Sequence, residues 1–188
     1  LLEFNQRRDG PIFEGQENYM FNKNTQSVLR DQKSHDASGF YKAMKTGVKG
    51  QLSKQINTNW NNKGEKFSFI SHQAISNLNL TYLNYIEGYQ DKKNNVNFNT
   101  YNLNNKLLAF YNPENILKLE IYNLLIFSAN GTHGLTPYNR KFYWNSMENY
   151  FEPINYDSQF NIDDPNIYFY LPFNNETLEA FKKLDILL

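Results

Sequence analysis

The chain has 188 residues, of which 40% are hydrophobic and 16% aromatic, and its 19 basic residues are balanced by 19 acidic ones. This composition is typical of one folded domain, and a chain of this length can bury a sizeable core without disulfide bonds. The lack of cysteine excludes both a disulfide scaffold and a thiolate zinc site. The absence of net charge argues against a nucleic-acid partner, and no apolar stretch reaches the roughly 20 residues of a membrane span.

The first half of the chain predicts two helices joined by irregular segments. The opening, up to about Gly15, is rich in turn residues and is predicted to be irregular. Asp36 is a candidate cap for a helix from about Ala37 to Gln55, and a second helix is predicted from about Gln73 to Tyr89. The polar stretch from Gln90 to Asn105 predicts a surface loop.

The clearest local signal is a helix start at Asn112-Pro113-Glu114, where a capping residue, a first-turn proline and a first-turn acid follow one another. The apolar residues of the next four turns cover more than one face, which predicts a largely buried helix. Asn123 is one of the few polar interruptions of this run. The sequence Ser128-Ala129-Asn130-Gly131 is expected to end the helix.

Two aromatic-rich stretches then predict a β-hairpin, Arg140 to Trp144 and Tyr150 to Tyr156. Pro153 has no backbone N–H, so its strand should lie at an edge or contain a bulge. A short helix from about Glu176 to Leu184, capped by Asn175, is predicted at the tail. The predicted fold class is α+β, mainly helical, with residues 1–188 in a single domain.

The order of a buried helix, a loop with His133 and Asn139, a hairpin and then Asp157 is the order of the metal-binding half of protein kinases. Phosphoryl transfer uses a divalent metal that bridges nucleotide phosphates, and two oxygen ligands from separate segments can hold that metal. The amide of Asn139 and the carboxylate of Asp157 fit these two roles. They would leave the remaining Mg²⁺ positions to phosphates and water.

Two stretches of the chain together resemble a pattern of the CotH-type kinases. They are Thr132-His133-Gly134-Leu135-Thr136-Pro137-Tyr138-Asn139-Arg140-Lys141-Phe142-Tyr143 and, after it, Phe151-Glu152-Pro153-Ile154-Asn155-Tyr156-Asp157. That pattern reads H-G-L-x-P-H-N-R-K-F-Y … F-E-P-I-x-Y-D. Arg8 to Phe13 is similar to a shorter R-E-G-P-I-F stretch of the same family. The resemblance covers about thirty residues at the level of motifs.

The resemblance implies a fold like the carboxyl-terminal lobe of an atypical protein kinase, with a β-hairpin next to the active-site loop. It also implies ATP- and Mg-dependent phosphorylation of Ser or Thr in a coat or cell-surface protein. By the same resemblance, Asn139 and Asp157 would hold the metal, and the nucleotide site would consist of Asn139, Arg140 and Asp157. Asn130 and His133 would belong to the catalytic loop.

Four departures from the kinase pattern favour a noncatalytic alternative. Conventional kinases have the base Asp five residues before the metal-binding Asn, and here that position is Gly134. The nearest counterpart of the family's acidic residue is Asn130, and Tyr138 replaces the second histidine of the pattern. No G-x-G-x-x-G motif occurs, so the nucleotide lobe and its phosphate-binding lysine are expected upstream of Leu1. The chain is thus predicted to be a fragment of a longer protein. The alternatives to an active kinase are a pseudokinase or structural binding module of a secreted or surface protein. A carbohydrate-binding domain is a further alternative, which rests on composition alone.

Three of the candidate residues also have structural interpretations. His133 would hold its turn through a hydrogen bond to a carbonyl, and Asp157 would form a turn or cap a helix. Arg140 has three possible partners, which are a phosphate group, the carboxylate of Asp157 and an aromatic ring of the hairpin.

Overall fold

The structure is a computed structural model, and it describes residues 9–15, 52–91, 103–137, 139–163 and 174–187. Within these ranges the chain forms four strands, β1 (Ile12–Gly15), β2 (Ser53–Gln55), β3 (Lys141–Asn145) and β4 (Tyr150–Ile154). It also forms four α-helices, α1 (Glu65–Asp91), α2 (Asn105–Leu108), α3 (Pro113–Ser128) and α4 (Asn175–Leu187), and two short 3-10 helices, Thr58–Lys63 and Thr132–Leu135. The predicted α+β class is confirmed at this coarse level.

The four strands form one antiparallel sheet in the order β2-β1-β3-β4. Strands β3 and β4 are the predicted hairpin, with Trp144 opposite Phe151. Pro153 lies in β4, at one edge of this sheet. The edge position agrees with the prediction, because a proline there does not interrupt hydrogen bonding to a further strand.

Strand β1 contradicts the prediction of an irregular opening, since residues Ile12–Gly15 pair with a strand on either side. The Asn57 side chain extends this pairing, because its Oδ1 accepts a hydrogen bond from Ile12 N at 2.7 Å and its Nδ2 donates to Gly10 O at 2.9 Å. The partner segments are far away in sequence. No local pattern of four residues therefore identifies this strand.

The predicted helix from about Ala37 to Gln55 is wrong at its end, where Ser53–Gln55 form β2; residues 37–51 and the proposed cap Asp36 lie outside the described ranges. The side chain of Asn79, on α1, decides the local structure. Its Oδ1 accepts hydrogen bonds from Leu52 N at 3.1 Å and Ser53 N at 2.9 Å, which fixes β2 against α1. This tertiary contact outweighs the helical spacing of the apolar residues.

The other helices differ from prediction mainly at their ends. Helix α1 starts at Glu65, earlier than expected. The part of the predicted surface loop that the structure describes contains a buried leucine, Leu103, and the first residue of α2, Asn105. The cap of α4 is Asn174 instead of Asn175, because Asn174 Oδ1 accepts a hydrogen bond from Thr177 N at 2.8 Å.

One apolar core joins the sheet to α1, α2 and α3, and the sheet contributes the aromatic residues Phe13, Phe142, Trp144 and Phe151. The ring centroids of Trp144 and Phe151 are 4.7 Å apart. From the helices the core includes Ala74, Leu78, Tyr82, Leu108, Ile116 and Leu119. Among the helices that the structure describes, none combines the length and the apolar character needed to cross a membrane.

Candidate functional site

Helix α3 leads to the site, and it begins as predicted. Asn112 Oδ1 accepts hydrogen bonds from Glu114 N at 3.0 Å and Asn115 N at 3.2 Å, with Pro113 in the first turn. These bonds satisfy backbone donors that have no partner within the helix. The predicted start of the helix is confirmed.

The end of α3 gives Asn130 a structural role. Asn130 has a φ of 52°, its N–H donates to Phe127 O at 2.9 Å, and Gly131 N–H donates to Ile126 O at 2.8 Å. This pair of bonds is a Schellman motif, in which the residue after the cap adopts the left-handed conformation. Asparagine tolerates that conformation better than most residues with a side chain. Asn130, the nearest counterpart of the acidic residue expected from the resemblance, therefore closes a helix.

The loop after α3 is packed tightly against the segment that follows the hairpin. A Cβ atom at Gly134 would overlap Ser158 Oγ and lie 3.1 Å from Ser158 Cα, and a Cβ at Gly131 would lie 2.6 Å from the ring of Phe160. Asn161 N also donates to Ala129 O at 3.2 Å. A side chain at the position of the conventional kinase base would therefore meet Ser158, which must shift to accept it.

Three predicted site residues meet where this loop contacts the hairpin exit. Asn139 is 8% exposed, and its Nδ2 lies 3.3 Å from His133 O and 3.4 Å from Asp157 O, donating to both. His133 Nε2 lies 3.3 Å from Asp157 Oδ2. The side chain of Asp157 is 47% exposed, and the backbone of this residue has a φ of 45°. The structure thus places the Asn139 amide on the backbone carbonyl of Asp157 and His133 beside the Asp157 carboxylate. The expected approach of the side-chain oxygens of Asn139 and Asp157 stays a prediction.

The Asp157 carboxylate and the Asn139 amide oxygen are of the types that Mg²⁺ prefers, and the contact that the structure gives between the two residues runs from Asn139 Nδ2 to the backbone carbonyl of Asp157. Within the described ranges, no group of three His, Cys, Asp or Glu residues could hold a metal ion. In the predicted metal role the protein would supply two oxygens, and nucleotide phosphates and water would supply the remainder. The metal role of the two residues stays a prediction.

Arg140 lies inside the protein, with 2% of its surface exposed. Its Nη2 donates to Asn123 Oδ1 at 2.9 Å, and its Cζ lies 5.4 Å from the ring centroid of Phe142. Burial lowers the pKa of Arg140 from its ordinary value. Of the partners considered for Arg140, these contacts among the described residues support an aromatic ring of the hairpin and not the carboxylate of Asp157. The role of Arg140 in nucleotide binding stays a prediction. In the sequence, the feature that sets Asn123 apart is that it is a polar residue within a helix predicted to be buried.

Sequence reasoning missed a charged cluster on the sheet. Glu14 is 8% exposed, and its carboxylate lies 2.8 Å from Lys54 Nζ and 3.1 Å from Lys141 Nζ. Burial alone would raise the pKa of Glu14, but the hydrogen bonds and positive charges of the two lysines outweigh burial and hold the pKa below its ordinary value. The three residues are neighbours only through strand register, which no local pattern reveals.

No family model, curated protein or solved structure matches the chain. The likeness to the CotH-type kinases therefore rests on the two quoted motifs. Of these motifs, Arg8 and Tyr138 lie outside the residues that the structure describes.

Proposed function

We propose that this chain is a kinase-like domain that binds a magnesium–nucleotide complex and transfers a phosphoryl group to Ser or Thr of a coat or cell-surface protein. The observation that supports the proposal is the meeting of Asn139, His133 and Asp157 at one end of the hairpin. The exposed carboxylate of Asp157 follows a backbone carbonyl that accepts from the buried Asn139 amide, and a carboxylate and an amide oxygen are ligand types that a divalent cation prefers.

Each of the three residues has a distinct task in this proposal. The carboxylate of Asp157 and the amide oxygen of Asn139 would hold Mg²⁺, which neutralises phosphate charge when it is bound. Asn139 also fixes the backbone of Asp157 through the carbonyl that it contacts. His133 orients the carboxylate, because its Nε2 lies beside Asp157 Oδ2.

The loop has residues suited to binding, but neither of the two positions considered for a general base, 130 and 134, has a carboxylate. A general base contributes about 10²- to 10⁴-fold to the rate of such a reaction. Gly134 is packed against Ser158, and Asn130, which ends α3, has an amide that does not accept a proton near neutral pH. These two observations favour the second candidate function, a pseudokinase or binding module that keeps the nucleotide site without fast transfer.

The deciding experiment is calorimetric titration of the protein with MgATP. We expect binding by the wild type, loss of binding in Asp157→Ala, and unchanged binding in Asp163→Ala, a control that removes an exposed carboxylate six residues further along. Equal affinity of the wild type and Asp157→Ala would contradict the kinase-like proposal. Binding without any transfer of phosphate to a Ser/Thr-rich acceptor would favour the noncatalytic candidate.

A further inference from the structure

Asn139 lies in a tight turn between the loop after α3 and strand β3. The Thr136 carbonyl accepts hydrogen bonds from the backbone N–H groups of Asn139, at 2.9 Å, and of Arg140, at 3.1 Å. Thr136 Oγ1 donates to His133 O at 2.7 Å, which joins the turn to the loop before it. These bonds lie within one short segment and set the shape of the turn. Its place against the rest of the protein depends on contacts with other elements.

Tyr82, a fully buried residue of α1, holds the turn from one side. Its hydroxyl group donates a hydrogen bond to Pro137 O at 2.6 Å. Proline has no N–H, so this carbonyl is the only backbone group through which Pro137 can form a hydrogen bond. Burial raises the pKa of Tyr82, so the hydroxyl keeps the proton that it donates. The bond therefore joins α1 to the turn two residues before Asn139.

Asn123, on α3, holds the turn from the other side. Its Oδ1 accepts a hydrogen bond from Arg140 Nη2 at 2.9 Å, and the two residues are 1% and 2% exposed. Arg140 directly follows Asn139 in the chain. A buried hydrogen bond from a charged group is costly to break, because the charged donor then loses its acceptor inside the protein. Two different helices thus fix the turn, one before Asn139 and one after it.

The contacts of the Asn139 side chain are sensitive to small movements of the turn. Asn139 Nδ2 lies 3.3 Å from His133 O and 3.4 Å from Asp157 O, at the long end of hydrogen-bond distances. A displacement of roughly 0.5 Å away from these carbonyls would therefore break both bonds, and the groups of a binding site have to be held within about that distance of their productive positions.

We propose that Tyr82 and Asn123 are positioning residues of the candidate site, which hold Asn139 at the backbone carbonyl of Asp157 by fixing the turn on either side. Neither side chain has to touch a ligand for this role, because each acts through its bond to the turn. The inference rests on the proposed function, since the position of Asn139 affects a ligand only if Asn139 and Asp157 hold the magnesium of a nucleotide complex.

The test combines two measurements on Tyr82→Phe, which removes only the hydroxyl oxygen. The first is calorimetric titration with MgATP far below the unfolding temperature. We expect about tenfold weaker affinity than in the wild type, the lower end of the loss when a group that orients a metal ligand is removed. The second is hydrogen exchange of the Asn139 and Arg140 amides. Their exchange should become faster by at least about tenfold more than that of the Trp144 amide, which donates to Pro11 O at 3.0 Å in the sheet.

The matched control is Ser71→Ala, which removes a buried hydroxyl group from the same helix. Ser71 Oγ donates to Asn61 Oδ1 at 2.7 Å, in the 3-10 helix Thr58–Lys63. A purely structural role would lower the stability of both variants and leave the affinity of the folded protein unchanged, so Ser71→Ala should stay within about twofold of wild-type affinity. If Tyr82→Phe does not fold, as judged by circular dichroism, Asn123→Leu replaces it. Asn123→Asp, which keeps an oxygen acceptor for Arg140, should then retain the affinity that Asn123→Leu loses.

Wild-type MgATP affinity in Tyr82→Phe would overturn the inference and leave the proposed function intact, and so would an equal loss of affinity in Ser71→Ala. Exchange at Asn139 and Arg140 that rises no more than at Trp144 would also overturn it, because the turn would then not depend on the Tyr82 hydroxyl. Absence of MgATP binding by the wild type would remove the proposed function. Faster exchange confined to the turn would in that case still support Tyr82 as the residue that positions Asn139.

Discussion

Gly134 provides a direct test of how the site loop is packed. A Cβ atom at this position would overlap Ser158 Oγ and lie 3.1 Å from Ser158 Cα. Part of this crowding involves backbone, so a change of side-chain rotamer alone does not relieve it. Extra atoms in a well-packed region typically cost about 1–3 kcal/mol. We therefore expect Gly134→Ala to lower the free energy of unfolding by about that amount, which in a domain of this size lowers Tm by roughly 2–12 °C.

The assay is urea denaturation followed by tryptophan fluorescence, since Trp60 and Trp144 are both buried. Ser158→Ala completes a double-mutant cycle, because it removes the Oγ atom that overlaps the new methyl group. The double variant should be more stable than the sum of the two single changes predicts, by at least about 0.5 kcal/mol. A Gly134→Ala protein within about 0.5 kcal/mol of wild type would refute the packing argument. Gly134→Asp should be destabilised further, so restoring the kinase carboxylate at this position is not a simple gain of function.

Four further outcomes are expected. Asn130→Gly should match or exceed wild-type stability in urea unfolding, whereas Asn130→Val should lose about 1–2 kcal/mol because a β-branched residue is strained at the left-handed φ of 52°. Asn112→Ala should cost about 1 kcal/mol in the same assay through loss of the helix cap. The pKa of Glu14 is lowered in the folded state, so its ionised form stabilises the fold above the ordinary carboxyl pKa, and this stabilisation is lost as the pH falls through the pKa of the folded state. The difference in unfolding free energy between wild type and Glu14→Gln should therefore shrink below about pH 5. A difference that does not change with pH would contradict this role of Glu14. Asn130→Asp should raise phosphoryl transfer from radiolabelled ATP by at least about tenfold, and an unchanged rate would mean that position 130 is not the site of the base.

The features that could be predicted from the sequence are those with local causes. The cap at Asn112, the end of α3 and the β3–β4 hairpin depend on neighbouring residues, and all three are as predicted. The meeting of Asn139 with Asp157 also follows, because a hairpin joins the segments before and after it.

The features that were missed depend on contacts between distant segments. Strand β2 lies within a stretch with helical spacing, and its conformation is set by Asn79 on another element. Asn123 and Arg140 meet in the interior only after α3 packs against the sheet. The crowding of position 134 by Ser158 likewise cannot be seen until Ser158 is placed beside it.

The position of β1 in the sheet has a consequence for how the chain folds. Residues Ile12–Gly15 are synthesised well before β3, the strand that they pair with, which begins only at Lys141. Until that partner has been synthesised, one edge of β1 has no strand beside it, and an open strand edge is a site for pairing with other chains. Contacts of such long sequence separation also slow folding, because a large loop must close before they form. Deletion of residues 1–15 would leave the corresponding edge of β3 open in the finished sheet, and we expect the shortened protein to aggregate on refolding at concentrations where the full chain stays monodisperse in light scattering.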